Sequence, residues 1–193
     1  MEQNYQIDSI KAAQSDMRNA YRNGATGVLV SGLVWLTTGF VFYNFSPRQA
    51  IWALLIGGAF IHPVTLIVNR ITGLNMSTNK DNKLVSLAME GTIFMLMTIP
   101  VAYGLTELRT EWFFQGMLLI IGGRYLTFHT LYGTKLFWLL GGLLGLAAYG
   151  LFAFNTQPLI TVLTGGLIEV IFSVVLFYDI SSKKKAESMA LSS

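Results

Sequence analysis

MLLIIGGRYLTFHTLYGTK, residues 117–135, decides how this chain reads. Its first part is apolar enough for hydrocarbon, yet Arg124 follows a glycine pair inside the run. Only Tyr132-Gly133-Thr134 separates it from the next apolar stretch. A helix of about twenty apolar residues crosses a hydrocarbon core of about 30 Å. The stretch therefore reads as one membrane span, a tight turn that forces an antiparallel return, and the start of a second span. It leaves a question: why a guanidinium is placed in that solvent.

Outward from this stretch, segments of the same length recur. They are 24–43, 49–68, 84–104, 112–131, 135–154 and 157–178. The predicted fold is an all-α membrane protein, a six-transmembrane-helix bundle built as three antiparallel hairpins. A cytoplasmic N-terminal segment (1–23) precedes the transmembrane domain (24–178), and a polar tail (179–193), expected to be disordered, follows it. Ile10, Ala13, Met17 and Ala20 fall at helical spacing opposite Lys11, Asp16, Arg18 and Arg22. That segment reads either as an amphipathic helix on the membrane surface or as a solvated start of the first span. The first apolar run starts late and is too long for a signal-peptide core, so it is expected to remain as a span.

Composition agrees. Of 193 residues, 53% are hydrophobic and only 12% charged, with a mean hydropathy of +0.54. Soluble domains carry roughly twice that share of charge. The net charge of +3 comes from small basic groups between apolar runs, with no basic stripe for nucleic acid. Cysteine is absent, which excludes disulfides and thiolate chemistry.

Charge placement predicts the orientation. With the N-terminus inside, the cytoplasmic side receives Lys11, Arg18, Arg22, Arg70, Lys80, Lys83, Arg124, Lys135 and Lys183 to Lys185, leaving Arg48 and Arg109 outside. Both termini are then cytoplasmic. Tyr43, Trp52, Tyr103 and Trp112 would ring the outer interface, and Tyr21, Tyr132, Trp138 and Tyr178 the inner one. Trp35 falls outside both rings.

Four ionisable residues within the spans carry the weight of the reading: His62, Glu90, Arg124 and Glu169. In this topology they lie about 9 to 14 Å from the cytoplasmic edge, within about one turn of each other in depth. A charge at a span centre costs about 2.5–3.5 kcal/mol on lenient scales, so these groups are expected to face the bundle interior. Each has polar or small neighbours at helical spacing. Gly58, His62, Thr65 and Asn69 form one stripe, Thr161, Gly165, Glu169 and Ser173 another; Ser86 lies a turn from Glu90, and Thr127 a turn from Arg124. His62, Glu90, Arg124 and Glu169 are thus candidates for binding a substrate or proton, with Asn69, Ser86, Thr127 and Thr161 in support. Arg124 could neutralise one glutamate, leaving the other to exchange a proton. That pattern suits passage of a small solute or ion. A structural Arg–Glu pair in a scaffold or regulatory subunit is the alternative.

Glycine pairs recur before three of these residues, at Gly57-Gly58, Gly122-Gly123 and Gly165-Gly166. IGGAFIHPVTL (56–66) and IGGRYLTFHTL (121–131) hint at a hairpin repeat. Pro63 frees the Ala59 carbonyl, and Gly141-x-x-x-Gly145 reads as close helix packing, within the chain or between copies of it. No hydrolase, metalloprotease or nucleotide-binding motif occurs, so no enzyme, metal or cofactor is expected.

The segment GGRYLTFHTLYG, residues 122–133, resembles the most distinctive motif of an uncharacterised family of small bacterial multi-pass membrane proteins. The resemblance implies a bacterial inner-membrane location and supplies no activity; the expected partners, the lipid bilayer and a second copy of the chain, rest on the apolar spans and on Gly141-x-x-x-Gly145.

Overall fold

A computed structural model of the chain describes residues 9–74 and 77–191. The first eight residues of the predicted N-terminal segment, two in the loop after Leu74 and the last two of the tail lie outside them. The described residues are helical: α1 (Ile10–Tyr21), α2 (Ala25–Asn44), α3 (Pro47–Ile71), α4 (Lys83–Gly104), α5 (Thr110–Tyr132), α6 (Leu136–Ala153) and α7 (Pro158–Leu191). Among these residues five helical segments are long and apolar enough to cross a membrane, built on α2, α3, α4, α6 and α7. The chain is a multi-pass α-helical membrane protein.

Helix α5 differs from the other five. At 23 residues it spans about 35 Å, but Gln115, Arg124 and His129 make it too polar to qualify on composition. Its neighbours compensate, because α5 packs against α1, α3, α4, α6 and α7 and buries Phe113, Phe114, Leu118, Tyr125 and Leu131.

Local signals set the helix ends. Ser46 caps the start of α3: the Gln49 N–H donates to Ser46 Oγ (3.3 Å), and Ser46 Oγ donates to Gln49 Oε1 (2.8 Å). Pro47 follows at the first helical position, where its missing N–H is harmless. Gly133, at φ 69°, ends α5 and returns its N–H to the His129 carbonyl at 2.7 Å.

Gly57 of α3 meets Val34 of α2, Gly91 of α4 faces Thr127 of α5, and Gly141 of α6 faces Gly122 of α5. A Cβ on Gly141 would stand 2.5 Å from the Gly122 carbonyl oxygen, so the two backbones touch. The Gly141-x-x-x-Gly145 motif therefore serves packing within the chain. Helix α6 packs chiefly on α5, and α7 chiefly on α2. Equivalent glycines of the proposed repeat also meet different neighbours, since Gly57 packs on the preceding helix and Gly122 on the following one.

Helix α1 caps one end of the bundle. Its apolar face, Ala13, Met17 and Ala20, is buried against protein rather than lying on lipid or in water. Gln14 Nε2 donates to the Thr130 carbonyl and Arg18 Nη1 to the Tyr132 carbonyl, both at 2.9 Å. Asn82 Nδ2 donates to the Ala13 carbonyl (3.0 Å) and to Asp16 Oδ2 (2.7 Å). The reversal into α2 uses three consecutive left-handed residues, Arg22, Asn23 and Gly24. At the other end of the chain, the tail expected to be disordered continues α7 to Leu191, with Lys183 paired to Asp179 at 2.7 Å one turn away.

Candidate functional site: an enclosed carboxyl and a separate arginine

Thr161, Gly165, Glu169 and Ser173 recur every four residues on α7 and so share one face. All four are buried. The face presses on α2, where glycine allows the approach. A Cβ on Gly32 would lie within 3.1 Å of Val170 and Glu169, and one on Gly165 would meet Leu118 at 2.7 Å and Trp35 at 3.3 Å.

Glu169 is fully enclosed. Ser31 of α2 and Tyr125 of α5, themselves buried, present hydroxyls to its carboxyl group. Neither approach closes a hydrogen bond of full geometry, so both carboxyl oxygens lack a partner. No cationic nitrogen of the described residues lies within 4.0 Å of it, the described ion pairs being Arg109–Glu111 and Lys183–Asp179. Other buried polar atoms near the same helices are also unpartnered. Toward the α1 end these are Thr26 Oγ1 and the Asn69 amide; further along they are Trp35 Nε1, Gln115 and Thr161 Oγ1. Buried polar groups are normally paired, so a series of unpaired ones at successive depths is unusual.

Arg124 is elsewhere. It is half-buried in a groove of about 240 Å³ between α4 and α5, lined by Gly91, Phe94, Met95, Thr98, Gly123 and Thr127 among others. Nη2 donates to Thr92 Oγ1 at 3.0 Å, Nη1 approaches Met95 Sδ at 3.4 Å, and the guanidinium lies 5.5 Å from the Phe128 ring centroid. Its Nε has no partner. Thr127 donates to the Arg124 carbonyl at 2.7 Å. Neither glutamate holds the arginine, contrary to expectation.

The four residues do not form one cluster. His62 and Glu90 are exposed on the outside of the bundle, as is Ser86, correcting the expectation that they face inward. Helix α3 packs almost wholly on α2, and α4 mainly on α5, so each buries only a narrow strip. On α3 that strip takes Thr65 and Asn69 and leaves Gly58 and His62 at its flank. On α4 it takes Leu84 and Ala102, with Gly91 half-buried against Thr127, and Glu90 stays exposed. Pro63 lies inside an unbroken α3.

Ser31, Tyr125, Gln115 and Thr26 were not legible as site residues. Only Gln115, an amide inside the apolar run FFQGMLL, carried a signal. His129 was also missed: its ring lies 4.8 Å from Trp138, with Nδ1 buried and unpartnered. A second cavity, of about 370 Å³, opens at the end of the bundle away from α1, where Arg48, Trp52, Tyr103 and Glu107 meet. Trp52 and Tyr103 stand 6.3 Å apart there, two of the aromatic residues assigned to one interface. Among the described residues no three His, Asp or Glu side chains gather as metal ligands would.

No curated protein and no solved structure matches this chain. Residues 10–179 do match a family model described as a family of unknown function (DUF7010), which covers the entire helical bundle but not the end of the tail. The chain belongs to this family.

Proposed function

We propose that this protein passes a small ion across a bacterial inner membrane, linked to proton movement, with Glu169 as the group that takes up and releases the proton. The observation that carries this reading is an enclosed carboxyl without a cationic partner, set among hydroxyls at the centre of three packed helices. Ionisable residues at such depth usually mark substrate, ion or proton pathways. Unpaired Thr26, Asn69, Trp35, Gln115 and Thr161 extend the polar interior along α2, α3, α5 and α7, where water or an ion would complete their hydrogen bonds. In this reading α5 also crosses the membrane, as the sixth span and the most enclosed one. The α1 end, with most of the basic residues, faces the cytoplasm together with the C-terminal tail. No covalent chemistry is involved.

The scaffold reading has its own support, the exposed outer faces of α3 and α4, which suit attachment of a partner. Proton flux in liposomes separates the two. Wild-type protein should dissipate an imposed pH gradient faster than empty liposomes, and a folded Glu169→Gln variant should not. Wild-type flux equal to that of empty liposomes under every ion gradient would favour the scaffold.

A further inference from the structure

Glu90 and Arg124 are two charges at hydrocarbon depth that form no ion pair among the described residues. Glu90 lies exposed on α4, seven residues into the helix, about 10 Å from its start. Arg124 lies in the open α4–α5 groove with its Nε free, and its described partners are a hydroxyl, a thioether and an aromatic ring, all neutral. The bond from Arg124 to Thr92 places the guanidinium within one turn of the level of Glu90.

We propose that α4 and α5 pair with a second copy of this chain, the Glu90 of each copy entering the other's groove to meet Arg124. A two-fold axis along the membrane normal preserves depth, so the partner's Glu90 arrives level with this Arg124, and the reverse contact forms at the same time. Gly123 faces open space, so an incoming helix can approach closely there. The surface around Glu90 is apolar, with Met89, Ile93, Phe94, Met97 and Val101 exposed, as a helix–helix contact in lipid requires. An anionic lipid fits less well: its headgroup lies at the interface, whereas Arg124 is about 10 Å deeper. The pairing does not depend on the flux reading, since it concerns the face of α5 toward α4 rather than the face that Tyr125 turns to Glu169.

The chain has no cysteine, so single cysteines report the contact directly. Ile93→Cys or Met97→Cys should give a disulfide-linked dimer in oxidised membranes, and Tyr149→Cys on the outside of α6 should not. Glu90→Arg and Arg124→Glu, each placing like charges across the interface, should each reduce self-association about tenfold. Co-expressed with different tags, the two variants should pair with each other, because that combination restores both ion pairs, which an internal Glu90–Arg124 contact would not achieve. No cross-link at either α4 position, or no preference of the two variants for each other when both fold, overturns the proposal. So does a wild-type monomer that retains anionic lipid through Arg124.

Discussion

Arg124 Nη2 donates to Thr92 Oγ1 at 3.0 Å, joining α5 to α4 through a neutral group where a carboxylate was expected. Interhelical hydrogen bonds in lipid are worth about 0.6 kcal/mol on average and up to about 1.7. Thr92→Val, which keeps the shape and removes the acceptor, should therefore lower unfolding stability in detergent by that amount. Thermal melts of the purified variant check this; an unchanged midpoint would show that the bond contributes nothing.

The α5–α6 contact depends on absent side chains. A Cβ at Gly141 would overlap the Gly122 carbonyl, whereas one at Gly142 meets nothing within 4 Å. Gly141→Ala should destabilise by about 1–3 kcal/mol, the usual range for overpacking. Gly142→Ala should be close to neutral or slightly stabilising. The two adjacent substitutions share chemistry and differ only in surroundings, so equal melting points would contradict the packing described.

The reversal between α1 and α2 holds Arg22 at φ 50°, a conformation that costs a non-glycine residue about 1–2 kcal/mol. Arg22→Gly should raise the melting temperature by relieving that strain. Gly24, at φ 73° with Tyr132 3.0 Å from a built Cβ, should lower it when changed to Ala. Opposite signs at positions two apart are the expected result.

Asn82 fastens the cap. It donates to Ala13 and Asp16 and accepts from the Leu84 N–H at 3.0 Å, capping α4. In Asn82→Ala each of the two lost bonds to α1 should lower its local opening free energy by about 1 kcal/mol. Hydrogen exchange should then quicken across α1 while the interior of α7 keeps its protection. Uniform acceleration through the bundle would mean that α1 does not open as a separate unit.

Features internal to one helix were largely legible in the sequence. Apolar run lengths located the five helices long and apolar enough to cross a membrane, and the four-residue spacing of Thr161, Gly165, Glu169 and Ser173 identified a buried face, because α7 is covered along that face by α2 and α5. The same reasoning failed for His62 and Glu90. Periodicity defines a face but not the neighbour that covers it, and α3 and α4 have one main neighbour each. Ser31 and Tyr125 escaped notice for a related reason: no spacing rule links hydroxyls on α2 and α5 to a carboxyl on α7. The polarity of α5 was visible, and its central position among five helices explains how the fold accommodates it.

Proton flux through liposomes carrying wild-type, Glu169→Gln or His62→Gln protein tests the central claim most directly. His62 lies on the outside of α3, away from the enclosed carboxyl, and serves as the control ionisable group at similar depth. The account predicts dye-reported flux for wild type and His62→Gln, and flux at the level of empty liposomes for Glu169→Gln. A folded Glu169→Gln variant with wild-type flux would contradict it.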